Sequence, residues 1–157
     1  MALQDGSGHL LVTCARNILL WDLREPTRAP VMLGEDFSTV ACCHLSSGGE
    51  PQLADAAAVL SLGVGQHVWL LDTDRVKHLM TLRGHDSTLT CVRLEGTICA
   101  AGSESGEVKV WETAGPTLLY TSHAVTPRPA GDLAFDRVTG LLAAGRGSQV
   151  AVMGEAP

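Results

Sequence analysis

Short apolar runs alternate with polar turns along the whole chain, and one such run recurs four times. Each copy follows a stretch of small residues and a short turn, and three copies end in Asp or Glu. The copies are residues 17–22, 67–72, 107–112 and 149–154. Their last positions are separated by 50, 40 and 42 residues. A period near 40 residues is the length of one four-stranded unit, so the pattern predicts an array of β-repeats.

Overlaying the copies predicts the strands of each unit, which we label a to d in chain order. The runs are short, rich in Val, Leu, Ile and Thr, and bounded by Gly, Ser, Asp and Pro, which is typical of strands and turns. The predicted strands are 1–3, 10–15, 18–21 and 30–33; 39–45, 59–63, 67–71 and 77–82; 89–94, 97–102, 107–111 and 117–121; and 132–135, 141–145 and 149–153. The longest helix candidate is 52–60. Strand b is made of small residues in every unit, which lets neighbouring sheets approach closely.

Composition limits the classes of protein that this chain can belong to. Its 157 residues are 45% hydrophobic and 18% charged, as in a globular domain. A net charge of −6 and a pI near 5.4, without a Lys/Arg-rich run, argue against nucleic acid as a partner. The sequence contains no apolar run long enough for a membrane span, and its first residues do not show the basic and apolar pattern expected of a secretory signal. We expect a cytoplasmic or nuclear protein without a membrane partner.

Signals for catalysis or metal binding are weak. The five cysteines are odd in number and lie in apolar runs, which favours buried thiols in a reducing compartment. Cys42 and Cys43 are adjacent in a predicted strand, so their side chains point to opposite faces and cannot both bind one metal ion. No Ser–His–Asp grouping can be placed, and no helix follows the Gly145-Arg146-Gly147 turn to make a phosphate loop. We expect no enzyme activity, no metal and no cofactor.

Three features make the chain resemble the WD-repeat β-propeller family. They are the Gly84-His85 pair, the Trp21-Asp22 pair, and the stretch 100–112, which is similar to the family's strand b, turn and strand c. The resemblance extends over nearly the whole chain and is strongest in the third unit. It implies an all-β fold, a propeller of about four four-stranded blades at residues 1–33, 34–82, 83–122 and 123–157.

The resemblance also implies a hydrogen-bonded group of four residues in each blade. In the family these are a His before strand a, a Ser or Thr in strand b, an Asp in the b–c turn and a Trp in strand c. Here His85, Ser103 and Trp111 match, whereas Ser105 stands where the Asp is expected. In other units Asp36 or Glu35 replaces the His, and Leu71 and Met153 replace the Trp.

The ends of the chain suggest an incomplete ring. Aligning the first unit on the fourth places the N-terminus inside a strand a, and the chain stops just after a strand c. WD-repeat propellers usually close with seven blades and an early strand that completes the last one. We therefore expect this chain to be the C-terminal part of a longer propeller. One alternative is a ring that closes with four blades, and another is a divergent gene whose product starts at an unusual position.

In the family, the d–a and b–c loops share one face, which is the usual partner-binding face. On this chain it would carry eight candidate residues: Arg16, Glu35, Asp36, Phe37, Arg83, Asp86, Glu104 and Arg146. Phe37, an aromatic residue beside acids, is a hot-spot candidate or a loop residue packed over strand ends. The expected function is a non-enzymatic scaffold for protein partners, acting as a monomer or in a multiprotein complex.

Other functions remain open on the sequence alone. One is the substrate-recruiting propeller of an F-box and WD-repeat subunit of a ubiquitin ligase, an analogy because no F-box lies in these residues. Another is a fragment without independent function. A third is an enzyme with active-site loops on the propeller, which would need a cluster of titratable side chains at the central channel.

Overall fold

The computed structural model describes residues 2–4, 9–14, 17–32, 40–47, 56, 58–123, 128–136 and 139–154. These residues form fifteen β-strands and no helix, which confirms the expected all-β class. Because the described part contains no helix, it contains none that is long and apolar enough to cross a membrane.

The strands form four antiparallel sheets, each built from consecutive strands in a simple up-and-down order. The first sheet comprises β1 (Ala2–Gln4), β2 (His9–Cys14), β3 (Asn17–Asp22) and β4 (Val31–Met32). The second comprises β5 (Val40–Ser47), β6 (Ala58–Val64), β7 (His67–Asp72) and β8 (Lys77–Leu82). The third comprises β9 (Leu89–Glu95), β10 (Ile98–Ser103), β11 (Val108–Glu112) and β12 (Thr117–Ser122). The fourth comprises β13 (Asp132–Asp136), β14 (Leu141–Arg146) and β15 (Gln149–Met153).

The predicted repeat is confirmed at the level of individual strands. Every strand begins and ends within two residues of its predicted bounds, and the fourth sheet has three strands as expected. The helix prediction for 52–60 is wrong for the described residues of this range: Ala56 is not helical, and residues 58–60 lie in β6. All three residues pair with β5, and Val59 and Leu60 also pair with β7. Residues 52–55 and 57 lie outside the described part.

Three apolar clusters join the sheets in sequence order. The first lies between the first and second sheets, the next between the second and third, and the last between the third and fourth. Their centres include Ile18 and Leu60, then Leu70 and Leu94, then Leu133, and all five are almost fully buried. Among the described residues, none of these clusters joins the fourth sheet back to the first.

Small residues in strand b bring neighbouring sheets close together, as predicted. A Cβ built on Gly102 would lie 2.4 Å from the Cβ of Ala130 at the start of the fourth sheet. A Cβ on Gly63 would lie 3.2 Å from the Cβ of Leu89 in the third sheet. The distance at Gly102 leaves no room for a methyl group, and the distance at Gly63 is tighter than an ordinary contact. Strand b of these two sheets is therefore part of the contact between sheets.

The acidic residue that ends the repeated run closes the turn between strands c and d. The backbone N–H of Arg24 donates to Asp22 at 2.9 Å, and that of Asp74 donates to Asp72 at 2.9 Å. Glu112 accepts in the same way from the N–H of Ala114 at 3.1 Å. A side-chain oxygen that accepts from an N–H two residues later stabilises a tight turn, so the repeated carboxylate has a local structural role.

Candidate functional site

Two of the matched residues of the third unit are in contact. His85 precedes β9 and Trp111 lies in β11, and both are buried, with 4% and 3% of their surface exposed. Their ring centroids are 5.7 Å apart at an interplanar angle of 62°, an edge-to-face arrangement. Such a contact between aromatic rings holds the loop before the third sheet against its third strand.

Glu107, which the sequence analysis did not single out, provides the carboxylate beside His85. Its Oε2 lies 3.1 Å from Nδ1 of His85, without the geometry of a hydrogen bond. Its Oε1 accepts a hydrogen bond from Nζ of Lys109 at 2.9 Å and lies 3.4 Å from Nδ1 of His123. The only signal for it was an acidic residue two positions after Ser105, where the family's Asp would stand.

Burial determines the charge state of His85, which lies beside Glu107 and Lys109. Burial lowers the pKa of His85, and the nearby Lys109 also lowers it, although Glu107 acts to raise it. The imidazole is therefore neutral at neutral pH, and the charges in the group belong to Glu107 and Lys109. Both are largely buried, with 14% and 10% of their side chains exposed. A buried ion pair stabilises one arrangement of the turn and performs no chemistry by itself.

Ser103 belongs to the turn and is not hydrogen-bonded to His85. Its Oγ lies 2.9 Å from Oγ of Ser105 and donates to the carbonyl of Glu107 at 3.3 Å. The expected four-residue group is thus rearranged, with a histidine–tryptophan contact, a serine pair in the turn and the carboxylate of Glu107 in a new place.

Four of the eight residues expected on the binding face are described, and they lie at one edge of the sheets. Arg83 and Asp86 lie in the loop between β8 and β9, and both are exposed. Glu104 is exposed in the turn after β10, and Arg146 is half-buried at the end of β14. We call these four residues the loop face. Arg16, Glu35, Asp36 and Phe37 lie outside the described residues.

Hydrogen bonds join the turns and loops that carry the loop face. The side chain of Gln66, in the b–c turn of the second sheet, donates to the carbonyl of Asp86 at 3.1 Å. The N–H of Glu104 donates to the carbonyl of Thr88 at 2.9 Å. The guanidinium of Arg146 donates to Oγ of Ser122, at the end of the third sheet, at 3.4 Å. The b–c turns and d–a loops are thereby held against each other across successive sheets.

Cys42, Cys43, Cys91 and Cys99 are core residues, in agreement with the sequence analysis. Cys42 packs between the second and third sheets and Cys43 between the first and second, so the two point to opposite faces as predicted. Burial raises the pKa of Cys42 to about 12, and it raises the pKa of Cys43, Cys91 and Cys99 as well. Within the described residues, no group of three or more His, Cys, Asp or Glu could hold a metal ion.

Comparisons with known proteins give similarity in fold alone. No family model and no curated protein matches the chain. The crystal structure of the computationally designed Ika8 protein is similar, with 17% sequence identity and a TM-score of 0.72. The match covers 95% of this chain and 43% of that one, so this chain spans less than half the length of Ika8. The computationally designed Ika4 protein is similar over 95% of this chain and 86% of its own, with 17% identity and a TM-score of 0.70.

Proposed function

We propose that this chain is a non-enzymatic protein-interaction module of the WD-repeat β-propeller type. In this proposal the four sheets are propeller blades and the loop face is the surface that binds a protein partner. The observation that carries it is the set of hydrogen bonds joining b–c turns to d–a loops, which holds charged side chains from several sheets at one edge.

A preformed surface favours binding because few groups have to be ordered when the partner arrives. The turn at Glu104 and the loop at Asp86 are each tied by backbone or side-chain hydrogen bonds to a neighbouring element. The loop face therefore has the rigidity that a recognition surface needs.

The charges of the loop face indicate the kind of partner. The loop face has two basic residues, Arg83 and Arg146, and two acidic residues, Asp86 and Glu104, so these four residues have both signs and no net charge. Mixed charges complement a protein surface that has its own pattern of charges, and they give specificity more than affinity. A polyanion such as nucleic acid would call for a surface of one sign.

The buried thiols support binding over catalysis. A cysteine nucleophile acts as the thiolate, which requires a lowered pKa and access to solvent. Cys42, Cys43, Cys91 and Cys99 have raised pKa values and are at most 6% exposed. They are suited to packing between sheets.

A charge-swapped variant tests the proposal. Arg83→Glu, Asp86→Arg, Glu104→Arg and Arg146→Glu together reverse the charge pattern of the loop face without altering the net charge. Partners cross-linked to the wild-type chain in cytoplasmic and nuclear extracts are identified by quantitative mass spectrometry. We expect the specific partners to be lost from the variant, because every charge contact becomes repulsive.

The matched control makes four swaps at exposed positions in c–d turns or at the first residue after one, on the opposite edge of the sheets. It combines Glu25→Arg, Arg28→Glu, Asp74→Arg and Lys77→Glu, and it also leaves the net charge unchanged. The control should retain the partners. If the control loses them and the loop-face variant keeps them, the binding surface lies elsewhere.

A further inference from the structure

Each of the first three sheets packs against the following sheet through two alternate residues of its third strand. These residues are Ile18 and Leu20, Val68 and Leu70, and Val108 and Val110. We call the face that contains them the leading face, and the opposite face, which packs on the preceding sheet, the trailing face. At each described junction, a leading face contacts a trailing face.

On its second and third strands, the leading face of the fourth sheet has the same four residue types as that of the third. In the third sheet Ala100 pairs with Val110, and Gly102 pairs with Val108. In the fourth sheet the corresponding pairs are Ala143 with Val152 and Gly145 with Val150. Paired residues on neighbouring strands share a face, so both sheets present one Ala, one Gly and two Val in the same arrangement.

The matching parts of the two leading faces differ in what covers them. Val108 has none of its surface exposed, because the fourth sheet packs on it through residues that include Leu133 and Met153. Val150 and Val152 are 71% and 64% exposed. These two valines on one face of β15, paired with Gly145 and Ala143 of β14, form an apolar surface of the kind that another sheet covers elsewhere in this chain.

The first sheet has the complementary surface. Leu19 and Trp21 alternate with Ile18 and Leu20 along β3, so they point to its trailing face. Both are half-buried. Among the described residues, no apolar cluster joins this trailing face to the fourth sheet of the same chain.

We propose that the leading face of the fourth sheet binds the trailing face of the first sheet in a second copy of this chain. Such a head-to-tail contact continues the leading-to-trailing contact that the chain already makes three times. Two leading faces contact each other at no described junction, which argues against a symmetric pairing of fourth sheets. The match to Ika8 covers 95% of this chain and 43% of that one, so a similar fold occurs as part of a longer chain.

Sedimentation velocity of the whole chain, with one blocked surface at a time, tests the proposal. Val152→Glu blocks the leading face of the fourth sheet, and Leu19→Glu blocks the trailing face of the first. The wild type is expected to form dimers or longer assemblies that dissociate on dilution. Each variant alone should be a monomer, with an apparent Kd raised about a hundredfold, because a carboxylate would be buried without a partner.

Mixing the two variants separates a head-to-tail contact from a symmetric one. The mixture contains one intact leading face and one intact trailing face, so we expect a heterodimer and nothing larger. Leu118→Glu is the matched control: Leu118 is 46% exposed on β12, away from both end surfaces, and its replacement should leave association unchanged.

Two results would overturn the proposal. A wild type that is monomeric at all accessible concentrations rules out the contact. Association of Leu19→Glu alone would show a contact that does not use the trailing face. A variant that loses the β-sheet circular dichroism of the wild type is replaced by Val152→Thr or Leu19→Gln, for which the same outcomes apply with a smaller rise in Kd.

Discussion

The third and fourth sheets follow the same pattern of apolar positions, and yet they are stabilised differently. On the trailing face of β11 the third sheet has the buried pair Lys109 and Trp111, next to Glu107. The corresponding residues of the fourth sheet are Gln149, Ala151 and Met153, without charge or aromatic ring.

The comparison separates two kinds of information in a repeat. The alternation of apolar residues sets where the strands lie, and it does so equally well in both sheets. The stabilisation of a sheet depends on its neighbours and on a few side chains at its edge. A repeat can therefore keep its strands after it has lost the residues that anchored them.

The largest effect on stability is expected from removing the carboxylate of Glu107, which has no counterpart at Gln149 in the fourth sheet. Glu107→Gln leaves the ammonium of Lys109, which is 2.9 Å from the carboxylate and 8% exposed as a residue, without its ionic partner. Breaking a largely buried pair from one side should lower the free energy of unfolding by about 3 kcal/mol. Urea denaturation followed by circular dichroism measures the change.

The control for that prediction gives the third sheet the residues of the fourth. In Glu107→Gln with Lys109→Ala, no charge is left unpaired, so the loss should be smaller than that of the single variant by about 1 kcal/mol or more. A double variant as unstable as the sum of its two single variants would mean that the two side chains are not coupled.

A smaller effect on stability is expected from replacing a leading-face glycine with Ala. Gly102 lies on the covered leading face of the third sheet, and Gly145 lies at the same position on the open leading face of the fourth. Gly102→Ala would bring a methyl group within 2.4 Å of Ala130 and 2.8 Å of the sulfur of Cys91, and it should cost about 2 kcal/mol. Gly145→Ala meets only backbone atoms at 3.8 Å and beyond, and should change stability by less than about 0.5 kcal/mol.

Neither glycine has a positive φ, so backbone strain does not enter this comparison. Thermal unfolding at a protein concentration that keeps the chain monomeric measures both variants. Equal losses at the two positions would show that the fourth sheet is covered in solution even in the monomer.

Much of the fold could be predicted from the sequence, because period and alternation are local properties. The opposite faces of Cys42 and Cys43 followed from strand geometry, and the packing of the two residues agrees. Val108 and Val150 could not be told apart in this way, because their neighbours in the sequence are similar and their burial depends on a sheet from elsewhere. Glu107 was missed because its role depends on the rings and the ammonium that the fold brings to it.

The last prediction concerns the pH dependence of stability and His44, which lies on the leading face of the second sheet and contacts the third. Nδ1 of His44 accepts a hydrogen bond from the N–H of Leu94 in the third sheet at 3.3 Å. Burial lowers the pKa of His44 to about 4; Arg93 lowers it further, whereas Glu95 and Asp132 act to raise it. The unfolded chain therefore takes up this proton first as the pH falls below about 6.5.

The sign follows from that order of protonation. The free energy of unfolding should fall by between about 1 and 2 kcal/mol from about pH 7 to about pH 5, and the contribution of His44 is fully lost below about pH 4. His44→Asn keeps an acceptor near Leu94 and removes the titration, so its stability should depend less on pH. An unchanged pH dependence in this variant would assign the effect to other groups, of which His85 has the same sign.

The buried thiols give each junction between sheets its own chemical reporter. Cys43 lies between the first and second sheets, Cys42 and Cys99 lie between the second and third, and Cys91 lies between the third and fourth. A thiol reagent reaches each of them only when its junction opens, so the rate of labelling at each cysteine measures how often those two sheets separate. The native chain can therefore show, without any introduced cysteine, which of its junctions opens first.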